Sequence, residues 1–166
     1  MISVGVLESR LGPFTLALSE QGLVRLALPS EAASAVVAGL RARYGDDLRD
    51  EGNGLEAALH TLAAYLEGND RSLTIPVDWS IVRGFTRSSL QRLAEVPYGS
   101  TISYRELAAR AGNARAARAA GAACASNPVA LVLPCHRVLR SDGGLGGFGG
   151  GLELKAELLR LEGVLL

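Results

Sequence analysis

The chain has 166 residues, 48% of them hydrophobic, with seventeen basic and seventeen acidic side chains and two cysteines. That is enough to bury a core in one or two compact units, and no apolar run approaches the ~20 residues needed to span a bilayer. The start, Met1-Ile-Ser-Val-Gly-Val, lacks a basic segment followed by a long apolar one, so a cytoplasmic protein without membrane contact is expected.

In chain order, Ile2 to Leu7, Phe14 to Leu18 and Leu23 to Leu28 read as strands, the last two joined as a hairpin at Glu20-Gln21-Gly22. Apolar residues at three-to-four spacing predict helices over Ser30 to Tyr44 and Leu55 to Leu66. The polar stretch from Glu67 to Asp78 sets a boundary near residue 80, dividing the chain into domains 1–80 and 81–166.

The second domain reads as mainly helical. Val82 to Ala94 forms a helix with Phe85, Leu90 and Leu93 inward, closed by the turn Pro97-Tyr98-Gly99. Ser103 and Glu106 make a Ser-x-x-Glu capping box, which places Tyr104 at the first helical position with its hydroxyl open to a ligand. Gly112 stops this helix at Ala111, and Asn113 caps another from Ala114 to about Ala125. Two short helices around a tight turn make a helix-turn-helix. The fold class is therefore α+β: a small amino-terminal α/β domain with a short antiparallel sheet, then a helical domain with a helix-turn-helix.

Charge is divided unevenly. Residues 1–81 carry six basic and eleven acidic side chains; residues 82–166 carry eleven and six. Any nucleic-acid contact belongs to the second half. The predicted second helix offers only Arg115 and Arg118 among alanines and glycine, too little to read base edges. Small side chains let its backbone approach a narrow groove, and two arginines three apart on one face suit phosphates or the base stack.

Chemistry concentrates at Pro134-Cys135-His136-Arg137-Val138. A free thiol has pKa ~8.5 and becomes a nucleophile when a neighbouring group lowers that or takes its proton. Val129 to Leu133 before it reads as a short buried strand or extended segment, which sets the thiol at the mouth of a packed core. The alternative is an inert buried cysteine. With His60 and His136, Cys124 and Cys135 match neither a disulfide framework nor a zinc pattern, so no metal and no cofactor is expected. The run Ser141 to Gly151 is either a flexible connector or a backbone wall approaching a ligand.

These blocks resemble the O6-alkylguanine-DNA alkyltransferases, also called methylated-DNA–protein-cysteine methyltransferases. The likeness is carried by Pro134 to Val138, Val96 to Tyr104, Ala116-Ala117-Arg118, Asn127-Pro128, the glycine-rich Gly143 to Gly151, and Leu161-Glu162-Gly163, in the family's order. The first half is similar only loosely, through Leu11-Gly-Pro-Phe-Thr and Gly22-Leu-Val-Arg-Leu.

The resemblance implies a single-turnover enzyme that flips O6-alkylguanine, and O4-alkylthymine, out of double-stranded DNA through the minor groove, without sequence preference, and moves the alkyl group onto Cys135. It implies that His136, oriented by Glu162, acts on Cys135 through a water, that Tyr104 assists the leaving base, and that Arg118 fills the vacated stack. Asn127 would brace the turn into the active-site segment, Val138 and Gly149 would present backbone to the guanine edge, and Arg115 would contact phosphate. Phe148 stands where the family often has tyrosine, as pocket wall, and Glu157 where many relatives have tryptophan. A thioether is a poor leaving group and no second cysteine is placed to accept the alkyl group, so the protein is expected to act once; a monomer is the default expectation. A lesion sensor without transfer, or a helix-turn-helix regulator, would share the DNA-binding features but not the need for Cys135.

Overall fold

The computed structural model describes residues 1–166, which fall into two compact units, Met1–Asp78 and Trp79–Leu166. The architecture is α+β, with a sheet in the first unit and mostly helix in the second.

In the first unit, strands β1 (Ile2–Ser9), β2 (Gly12–Ser19) and β3 (Gly22–Ala27) run antiparallel, and the two-residue β4 (Leu48–Arg49) lies parallel to β1, giving the order β3-β2-β1-β4. Strand β2 is covered on both faces: Phe14, Thr15, Leu16, Ala17 and Leu18 are all buried. Helices α1 (Ala33–Tyr44) and α2 (Leu55–Leu66) pack on the sheet. Leu55, Ala58, Leu62, Tyr65 and Leu66 form one apolar stripe, and that period fixes α2 at its predicted bounds. Helix α1 starts three residues later than its predicted start, because Glu31 N–H closes a turn onto Leu28 O at 3.0 Å. The segment before Asp78 adds a bridge beside β3, with Leu23 N–H donating to Pro76 O at 2.7 Å.

The second unit holds α3 (Gly84–Leu93), α4 (Tyr104–Arg110), α5 (Ala117–Ala125) and α6 (Leu152–Leu161), with a small parallel pair, β5 (Ile102–Ser103) and β6 (Val138–Leu139). Helices α3, α4 and α5 pack together around Leu90, Leu93, Leu107 and Ala120, all inaccessible; Phe85 is only half-buried. Ser103 Oγ caps α4 by accepting from Glu106 N–H at 3.0 Å. The reciprocal half of the capping box is replaced by an ion pair, since the Glu106 carboxylate turns to Arg110 at 2.7 Å.

Two expectations are corrected. The second helix of the pair begins at Ala117, not Ala114, and Asn113 does not cap it: its side-chain oxygen accepts from Arg115 N–H at 3.1 Å, forming a local turn after Gly112, whose φ of +104° suits glycine alone. Arg115 therefore sits in that turn and does not share a helix face with Arg118. The apolar run Val129 to Leu133 is not a strand. It doubles back, with Leu131 at φ +71° and Leu133 N–H donating to Val129 O at 3.1 Å. Asn127 clamps both ends of this turn, accepting from Val129 N–H at 3.0 Å and donating to Leu133 O at 2.8 Å.

Candidate active site

The turn clamped by Asn127 delivers Pro134 and then a single 3₁₀ turn, Cys135–Arg137, in which all three side chains are buried. Cys135 opens into a pocket of about 610 Å³. Helix α4 contributes Tyr104 to its lining, and α5 contributes Ala117, Arg118, Gly121, Cys124 and Ala125, one helical face. The opposite wall is Gly147, Phe148 and Gly149 from the glycine-rich loop.

That loop is shaped rather than slack. Arg140 N–H donates to Gly144 O at 2.9 Å, and Gly144 N–H donates to Asp142 Oδ1 at 2.9 Å. Gly146 has φ +70°, and a Cβ there would lie 3.0 Å from Tyr104 Cε2, so the backbone presses on the tyrosine as only glycine can.

Behind Cys135 lies a buried charge network. Glu162, on the residue that ends α6, is 2.8 Å from His136 Nε2 and receives two guanidinium hydrogen bonds from Arg137, at 2.8 and 2.9 Å. Gly99 N–H adds another at 3.2 Å, while Arg137 also donates to Val96 O at 2.6 Å and stacks 5.8 Å over Tyr98. Burial holds the His136 pKa below its ordinary value, against the pull of Glu162. A neutral ring beside an ionised carboxylate must donate from Nε2, which leaves Nδ1 as its basic nitrogen.

Burial also pushes the Cys135 thiol up; the Asn127 side chain, Lys155 and the backbone N–H groups of the 3₁₀ turn oppose it. Tyr104 is pushed up to about 12, chiefly by burial and then by the two cysteines, so it stays protonated. A thiol and a phenol thus line one cavity, with a neutral imidazole held by a carboxylate behind the thiol, an arrangement suited to covalent group transfer.

A family model described as the 6-O-methylguanine DNA methyltransferase DNA binding domain matches residues 84–164, and one described as its ribonuclease-like domain matches residues 2–79. The chain belongs to the methylated-DNA–protein-cysteine methyltransferase family. A methyltransferase of Bacillus subtilis, described as inducible, is 35% identical over 90% of this chain and 83% of its own. One from Methanosarcina barkeri is 36% identical over 95% and 94%. A crystal structure of the Mycobacterium tuberculosis family member in complex with DNA superposes with a TM-score of 0.78, at 33% identity over 95% of this chain and 90% of that one.

Of the residues that the family resemblance singled out, Tyr104, Arg118, Cys135, Phe148 and Gly149 line one pocket, and His136 and Glu162 meet behind it. Asn127 stands in the turn that leads to Cys135. Arg115 and Val138 are not among the lining residues: Arg115 is exposed in the turn before α5, and Val138 is fully buried in β6 with its carbonyl accepting from Lys155. Glu157 is partly exposed and pairs with Arg160 at 3.2 Å.

Three participants escaped the sequence. Cys124 shares the pocket with Cys135 because it falls at helical spacing from Ala117 and Gly121. Arg137 lies inside the signature itself but shows no partner in the sequence. Lys155 was legible in principle, as a lysine on the buried stripe of α6 with Ala156, Leu158 and Leu159.

Proposed function

We propose that this protein repairs DNA by direct reversal: it flips O6-alkylguanine, and O4-alkylthymine, out of the duplex and transfers the alkyl group irreversibly to Cys135, once per molecule. The observation that carries this reading is the Cys135 thiol in the wall of a pocket with ample room for a flipped base, backed by the neutral His136 and its carboxylate. An alkylated guanine inside a duplex hides its O6 substituent from in-line attack, so the base must enter such a pocket.

In the chemical step the Cys135 sulfur attacks the alkyl carbon, the C–S bond forms and the C–O6 bond breaks, its electron pair passing to guanine. The thiol proton leaves through a water to His136 Nδ1, and guanine takes up one proton, so thiol and alkylguanine become thioether and guanine. Tyr104, protonated, donates to the base as charge develops on it. The backbone of Gly149 reads the guanine edge, Phe148 packs on the ring, and Val138 supports that wall from behind.

The unit Trp79–Leu166 carries both the DNA-binding and the acceptor roles. Helices α4 and α5 act as a helix-turn-helix whose exposed face, Arg118, Ala119, Ala122 and Ala125, is small enough to enter the minor groove without reading sequence. Arg118 occupies the space of the flipped base and Arg115 contacts phosphate, so affinity falls with salt. Asn127 holds the turn that aims Cys135. The protein works as a cytoplasmic monomer, and no helix is long and apolar enough to cross a membrane.

The reading is tested with excess duplex carrying one O6-methylguanine, counting restored guanines per protein molecule. One guanine per molecule is expected; several would contradict single turnover, and none would contradict repair.

A further inference from the structure

Lys155 is the only lysine among seventeen basic residues, and its side chain is inaccessible to solvent. Its ammonium donates to Val138 O at 2.7 Å, to Leu145 O, and to Gly147 O at 3.2 Å. Three N–H bonds therefore meet three carbonyls, and none is left for a ligand. One of those carbonyls belongs to β6, directly after the Cys135 turn; the other two belong to the glycine loop that walls the pocket. The Nζ also stands 5.9 Å from the centre of the Tyr104 ring.

Carbonyls satisfy hydrogen bonds but do not neutralise charge. No ion pair of the protein includes Lys155; the buried carboxylate of its own unit, Glu162, is held by His136 and Arg137. A buried cation without a counter-ion is disfavoured unless an anion forms nearby. The groups that face Cys135 are Lys155 from α6, Cys124 from α5, Tyr104 from α4, Asn127 and His136, with Arg137 and Glu162 behind the imidazole. Of these, Lys155 is the cation not already paired with a carboxylate.

We propose that Lys155 is a positioning residue for alkyl transfer: by tying the glycine wall to β6 beside Cys135 it both closes the pocket and supplies the counter-charge of the Cys135 thiolate. The proposal rests on Cys135 as the alkyl acceptor. A compact ammonium meets three converging carbonyls, a geometry that a planar arginine fork fits less well although it carries the same charge. Burial pushes the pKa of Lys155 down and the two thiols oppose that, just as Lys155 opposes the rise that burial imposes on Cys135. A thioether cannot ionise, so alkylation removes the anion that Lys155 balances and loosens its hold on the loop.

The test needs no DNA. The rate of carbamidomethylation of Cys135 by iodoacetamide, scored by peptide mass so that Cys124 is counted separately, is measured against pH for the wild type, Lys155→Met and Lys155→Arg. Lys155→Met is expected to move the thiol midpoint up by a pH unit or more, a tenfold or greater slowing at pH values below both midpoints, whereas Lys155→Arg keeps the wild-type midpoint and loses only fit. Unshifted midpoints in a folded Lys155→Met protein would overturn the counter-charge role.

A second readout keeps the wild-type chain. With [¹³Cε]lysine the protein gives one lysine signal, whose titration midpoint is expected to fall once Cys135 carries a methyl group, and hydrogen exchange at residues 143–149 to quicken. An unchanged midpoint would overturn the pairing. If Cys135 never accepts a methyl group from damaged DNA while iodoacetamide still gives the expected shift, the repair reading fails and the Lys155–Cys135 pairing stands.

Discussion

The two units of this protein bury different things. In Met1–Asp78 the buried polar side chains are Ser3, Thr15 and Asp78, and the core is Phe14, Leu16, Leu23, Leu26, Leu62 and Tyr65. In Trp79–Leu166 the buried set is Ser89, His136, Arg137, Lys155 and Glu162, and the four ionisable ones belong to, or bond directly to, the segment from Cys135 to Leu139. Buried charges are weak contributors to stability, because desolvation offsets their attraction. Their concentration in one unit marks where the molecule gives up stability for chemistry.

The largest expected effect separates the thiol from its scaffold. Cys135→Ala abolishes methyl transfer while a duplex containing O6-methylguanine still binds, which electrophoretic titration checks; retained transfer would move the chemistry elsewhere. Next comes a contrast between the units. Glu162→Gln leaves the Arg137 cation buried without its counter-ion and is expected to cost about 3–5 kcal/mol in urea unfolding, with a large loss of transfer rate per folded molecule. Leu62→Ala in the first unit costs a similar ~2–5 kcal/mol through its cavity, but leaves the rate of the folded fraction unchanged. If both variants lose rate equally, the division of labour between the units is wrong.

A smaller effect belongs to the loop. Gly146→Ala combines φ +70° with a contact at 3.0 Å to Tyr104, and strain of this kind costs ~1–3 kcal/mol. Its transfer rate should fall more than its stability. The smallest effect is a pH slope. Burial raises Cys124 from 9.0 to about 12 and Tyr104 from 10.0 to about 12, so the folded protein retains protons that the unfolded chain releases. This stability is complete below pH 9 and is lost as pH rises toward 12. Cys124→Ala should flatten the early part of that slope, as read by thermal unfolding between pH 8 and 10.

The fold was legible wherever one periodicity dominated. Helix α2 and the three long strands follow from apolar spacing, because a single buried face leaves little choice of register. Local chemistry misled where one residue serves two motifs. Asn113 can cap a helix or close a turn on its own backbone, and it does the second, so α5 starts late. Five apolar residues from Val129 suggest a strand, yet the Asn127 amide folds them into a turn. The family's pattern singled out Cys135, Tyr104 and Arg118, which line one pocket, and His136 and Glu162, which pair behind it. Lys155 was missed because a lysine reads as surface until its three carbonyl partners, distant in sequence, are seen together. Cys124 was missed because thiols eleven positions apart meet only through the course of the chain between them.

One sulfur is expected to accept one alkyl group. Intact mass followed by peptide mapping, after incubation with a duplex bearing a single O6-methylguanine, tests it most directly. The expected result is a gain of one methyl group per chain, located on Cys135 and saturating there. A methyl group on Cys124, or no gain despite binding of the lesion, would contradict it.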